Sequence, residues 1–181
     1  LNFLSIRGPN IWTYKPVLEA WVDIGELEEC PSNVIPGFVD RLCAWLPTLS
    51  EHRCNYGEPG GFVRRLHEGT WPGHILEHVT LELQNLAGMP GGFGRARETS
   101  ERGVYKVVVQ AWHEDVTREC LHAARDLVMA AVRRSCNRTG LEDWEWRKTL
   151  GVACALYRGS ERGRGYQMSL EEDRISRDYL F

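Results

Sequence analysis

"GTWPGHILEHVTLELQNLAGMP", residues 69–90, decides how this chain is read. Ile75, Val79, Leu83 and Leu86 recur near the 3.6-residue period of an α-helix, Pro72 suits a first helical turn, and Gly88 supplies a left-handed stop. The spacing predicts a helix over 72–87 with one apolar stripe. Its front turns carry His74, Glu77 and His78 in the order H-x-x-E-H. At about 100° per residue these side chains share one side of the helix, with the histidines about 6 Å apart along the axis. Two neutral imidazoles so spaced can grip one Zn2+ and leave a position for a water whose pKa falls to about 7. Glu77 would then take that water's proton as general base. H-x-x-E-H is the zincin pattern with its order inverted. The competing reading is plainer: solvated or half-buried polar residues on a helix that binds nothing.

A third ligand has to come from elsewhere. Glu82 is two turns from His74 and reads as a partner behind the ligands rather than as one of them. If the chain doubles back after Gly88 and Met89, a strand over 95–99 in the glycine-rich "PGGFGRARETSERG" would present Glu98 to the ion. Arg95 and Arg97 flank it and are the expected substrate-binding residues, with a surface salt bridge to Glu98 as the alternative.

Outward from this helix, residues 2–6 and 17–24 alternate as strands do, separated by the breakers Gly8, Pro9 and Pro16, and suggest a hairpin-like pair. In "PSNVIPGFVDRLCAWLP" a helix is expected with Ser32 or Asn33 as its cap, Phe38, Leu42, Trp45 and Leu46 on its buried face, and Pro47 as its stop. Residues 51–69 read as loop with a short helix at 61–67. "VYKVVVQAW", 104–112, is the strongest strand signal, and 113–135 form a long helix with Arg133 and Arg134 at its end. A further helix is expected over 141–157, followed by a polar tail or linker stub. The fold class is therefore α+β, a single domain in which a small, mostly antiparallel sheet packs against about three main helices. The main unit is 1–139, with 140–181 as a C-terminal helix and tail.

A length of 181 residues, 43% hydrophobic and 26% charged, fits one soluble domain. A net charge of -3 offers no long-range attraction to nucleic acid or an anionic membrane, and no apolar run reaches the ~20 residues of a membrane span. The six cysteines contain no C-x-x-C pair, which argues against a zinc ribbon or a thioredoxin-like site and suits free thiols in a reducing, cytoplasmic setting.

Four stretches taken in order, "RGPNIW" at 7–12, "EHRCNYGEPGGF" at 51–62, "EGTWPGHILEHVTLELQNLAGMPGGFGRARET" at 68–99 and "GVYKVVV" at 103–109, resemble the N-terminal domain of cyanophycin synthetase over about residues 1–135. The resemblance implies that the partner is cyanophycin, a poly-aspartate backbone with arginine on each side chain, or short aspartate-arginine oligomers; a cytoplasmic homo-oligomer is expected. It also implies neighbouring ATP-grasp and Mur-ligase-like modules. In that family the domain holds polymer near the ligase sites, and in some members it carries a cryptic metallopeptidase-like centre whose H-x-x-E-H falls here on His74, Glu77 and His78. A zinc-dependent hydrolase cutting the polymer into shorter chains is thus one expectation, and a non-catalytic tethering module the other. No Walker-type glycine loop occurs in these residues, so they imply no ligase activity of their own. Gln110 stands where the family pattern leads one to expect an acidic residue in contact with the polymer's arginines.

Overall fold

A computed structural model describes residues 1–6, 8–89, 92–135 and 144–164. Four strands, β1 (Asn2–Ile6), β2 (Val17–Asp23), β3 (Gly94–Glu98) and β4 (Val104–Gln110), form one sheet in the order β1-β2-β4-β3 with every neighbouring pair antiparallel. Five α-helices accompany them: α1 (Phe38–Trp45), α2 (Gly61–Glu68), α3 (Pro72–Leu86), α4 (Glu114–Ser135) and α5 (Trp144–Arg164). The α+β class and the single domain are as the patterning predicts, with α3, α4 and α5 as the three long helices.

Alternation along the strands sorts the sheet into two faces. Leu18, Ala20 and Val22 on β2 and Val107 and Val109 on β4 are almost fully buried and belong to the common core with α3 and α4. The opposite face is polar and aromatic. There Trp12 donates its indole N–H to the buried carboxylate of Glu19, Lys106 lies 3.4 Å from the same carboxylate, and Lys106 also stands 4.9 Å over the Trp21 ring. Trp12 and Trp21 are therefore spent on this face. Trp71, 42% exposed, is open to solvent.

Four expectations are revised. Ser32 and Asn33 do not cap α1: they sit in a separate 3-10 turn, Ser32–Val34, and α1 begins after Gly37. Pro36 explains this, because it forces Ile35 into an extended conformation (φ -92, ψ 109) that a helix cannot cross. Leu86 is 49% exposed rather than part of a buried stripe. Helix α3 lies between the sheet, α4 and the short helices, so burial follows its surroundings on several sides and takes in Glu77, His78, Thr80, Glu82 and Gln84. Helix α5 runs on to Arg164, into the stretch read as polar tail, and its Ala153 joins the common core. The rest of that tail, and 140–143, lie outside the described residues. Gln110 is 2% exposed with its backbone carbonyl accepting from Gln84, so it faces the interior and not a polymer.

Candidate metal centre

Burying that many polar groups on one helix costs stability unless each is paired or used. Thr80 is paired locally, its hydroxyl donating to the carbonyl of Leu76, and the Gln84 amide nitrogen donates to Gln110 and Thr117 while Gln84 Oε1 is buried without a hydrogen-bond partner. His74, Glu77 and His78 instead converge on a cavity of about 350 Å³, within the range of ligand sites. The ring centroids of His74 and His78 are 4.8 Å apart, as one helical turn requires. Phe62, fully buried on α2, stacks on His78 at 3.9 Å and meets His74 edge-on at 5.7 Å, which fixes both imidazoles.

The third group of the cluster is Cys54. Its Sγ lies 3.4 Å from His74 Nε2, and one ligand atom each from Cys54, His74 and His78 fall within 4.8 Å of one another. A tetrahedral zinc with bonds of about 2.3 Å to sulfur and about 2.0 Å to nitrogen sets those two atoms about 3.5 Å apart. The donor set suits zinc, and the Cys54–His74 spacing matches what it requires. Cys54 is also the one non-glycine residue among those described with a positive φ, 51°. Such a backbone costs of order 1 kcal/mol and is held only where its surroundings impose it. Gly61 permits it: a Cβ on Gly61 would stand 1.8 Å from the carbonyl oxygen of Arg53, so the bare glycine lets the Cys54 turn sit directly on α2.

Strand β3 does double back past α3 as the sequence suggests, but what it brings to the site is Gly94 rather than Glu98. A Cβ on Gly94 would come within 2.7 Å of Glu77 Cγ and Oε1, so glycine there allows β3 to close over the carboxylate, which the main chain of Ala96 hydrogen bonds. Arg95 contributes to the cavity wall. Glu98 is exposed, paired across the sheet with Tyr105, and outside the wall. Arg97 lies on the far face of the sheet, 5.5 Å over Trp12. Arg65 and Trp71 also line the wall.

Electrostatics follow from burial. Desolvation lowers the His74 pKa to about 4, helped by the Arg65 charge, and takes His78 well below the ordinary value, helped by His74 and His52. Both rings are therefore neutral at pH 7, the ligating state. Burial raises the Cys54 thiol, which argues against an activated cysteine nucleophile. Burial also pushes Glu77 up to about 8, against the opposing pull of Arg95 and Ala96.

The histidines give an acid-side prediction for the metal-free protein. The unfolded chain protonates His74 near pH 6.5 and the folded one only near 4, so the folded state binds fewer protons in that window and loses stability as pH falls through it. His74 alone costs about 3 kcal/mol by pH 4. Denaturant midpoints from pH 7 to 4 should fall in wild type and fall less in His74→Asn.

The Cyanophycin synthase-like N-terminal domain family model matches residues 19–133, which hold every residue of this cluster. The chain belongs to that family. It is 46% identical over 160 residues to a cyanophycin synthetase of Synechocystis sp., covering 86% of this chain and 18% of that protein. Cyanophycin synthetases of Geminocystis herdmanii and Crocosphaera subtropica are 48% and 47% identical over 65% and 73% of this chain, and over 14% and 15% of their own lengths. The chain thus spans less than a fifth of these family relatives. Among the described residues no helix is long and apolar enough to cross a membrane.

Proposed function

We propose that this domain is a zinc-dependent amide hydrolase that shortens the aspartate-arginine polymer, working beside ATP-grasp and Mur-ligase-like modules in the cytoplasm. One observation carries the reading: Cys54, His74 and His78 offer ligand atoms within 4.8 Å of one another, next to the buried carboxylate of Glu77. Zinc held by these three would polarise an amide carbonyl, lower the pKa of its water, and by its charge favour the ionised form of Glu77. Glu77 accepts the water's proton as the water oxygen bonds to the carbonyl carbon, and delivers it to the nitrogen as the C–N bond breaks. Arg65 and Arg95 are lining residues whose charges act on His74 and Glu77, and guanidinium groups near the site suit the free carboxylates of an aspartate-arginine chain. The cyanophycin synthetases among its relatives support that substrate class.

Elemental analysis of the purified domain should give about one zinc per chain. Zinc-loaded domain incubated with polymer should shorten it, and a chelator should stop the shortening. Intact polymer after prolonged incubation, with polymer binding insensitive to chelator, would favour the tethering role instead.

A further inference from the structure

Behind His78 runs a buried line of polar side chains that the hydrolytic chemistry above leaves unused. His52 Nδ1 lies 3.0 Å from His78 Nδ1, and His52 Nε2 lies 2.9 Å from Glu82 Oε2. The Thr48 hydroxyl donates to Oε1 of the same carboxylate. His52, His78 and Glu82 are 5%, 4% and 3% exposed. The backbone of His52 is pinned at both ends, its N–H donating to Leu49 and its carbonyl accepting from Phe62. Contacts at both ring nitrogens and at the backbone thus hold His52 against His78.

Donor and acceptor roles along this line follow from chemistry. A carboxylate only accepts, so the proton between His52 and Glu82 sits on His52 Nε2. With a single ring proton, placed on Nε2 by the Glu82 carboxylate, His52 offers a lone pair on Nδ1 that can only accept, so His78 donates from Nδ1. The nitrogen of His78 left bare is Nε2. At His74 the pattern is the same: Nδ1 is 2.8 Å from the Thr70 hydroxyl, and Nε2 faces Cys54 Sγ.

We infer that His52 and Glu82 are positioning residues that lock His78 in its Nδ1–H tautomer and keep Nε2 as the atom offered to the cavity. Glu82 acts only through His52, and Thr48 orients Glu82. The role rests on the hydrolase reading for its purpose, since a bare Nε2 is what a zinc site needs, while the tautomer itself is a property of the metal-free fold. Metal-binding histidines are ordinarily held by a carboxylate or carbonyl on their second nitrogen, and loss of that partner costs about 10–100-fold in affinity. Here a second imidazole is interposed, which carries the hold from Glu82 across to His78.

The tautomer is read directly by two-bond 1H–15N correlation on metal-free, 15N-histidine-labelled wild type, a measurement that needs no variant. His78 should carry its proton on Nδ1, and a proton on Nε2 overturns the inference. In His52→Ala the His78 signal should move toward the Nε2–H form, and zinc affinity measured against a chromophoric chelator should fall about 10–100-fold. Glu82→Ala should fall similarly, and the double variant no further than His52→Ala alone. Glu82→Gln keeps a carbonyl acceptor for His52 and should restore most of the affinity. Unchanged zinc affinity in His52→Ala, or additive losses in the double variant, would sink the relay. Wild type that shows His78 protonated on Nδ1 yet takes up no zinc supports the relay and defeats the hydrolase reading.

Discussion

Glu77→Gln should lower polymer cleavage by about 10²–10⁴-fold while zinc stays bound at full stoichiometry. The substitution keeps the shape of a side chain packed between α3 and Gly94 and removes its capacity to accept and return a proton. Glu77 is not among the residues of the metal-binding cluster, so the ion should be retained, which separates loss of a base from loss of a ligand. The same change has an opposite effect on the stability of the metal-free protein. The Glu77 pKa rises from 4.5 unfolded to about 8 folded because burial penalises its charge. Between those values the unfolded state sheds a proton that the folded state keeps, so wild-type stability is lost as pH rises from 4.5 through 8. Glutamine carries no such penalty. At pH 8 the variant should gain about 4 kcal/mol relative to wild type compared with pH 4. Denaturant melts at the two pH values, with chelator present, check it, and equal differences at both would mean that Glu77 is not held in a desolvated site.

Cys54→Ser should weaken zinc binding by more than the about 10–100-fold expected for an outer partner, and should abolish cleavage with it. A hydroxyl replaces a soft thiolate donor that zinc favours, while the turn at Cys54 and its fit against Gly61 are kept. Glu98→Gln is the matched control. An exposed residue outside the cavity wall should leave affinity unchanged, whereas a loss there with none in Cys54→Ser would return the third ligand to Glu98. Competition against a chromophoric chelator measures both.

The pair His74 and His78, with Glu77 between them, was legible because helical periodicity is local: three positions within five residues share a side of any helix they form. The same locality revealed α3 from its Pro72 start to its Gly88 stop, and β4 from its run of valines. Glu82 was placed behind the ligands by its distance along the helix, and the structure connects it to His78 through His52. Cys54 and His52 carried no periodic signal, since both lie in a segment of short turns whose glycines read only as loop. Both lie in "EHRCNYGEPGGF", 51–62, one of the stretches that carry the family resemblance, but no period there aims a side chain at α3.

From sequence alone came the elements, the α+β class and the half of the site that lies on one helix, because hydrogen-bond geometry within a helix depends on neighbours along the chain. The tertiary structure decided which residue completes that half. Closing the 51–61 loop onto α2 brings Cys54 to His74 and His52 to His78, and that closure depends on a bare Gly61 against Arg53 and on the Phe62 ring between them, contacts made across the fold that no spacing along the chain encodes.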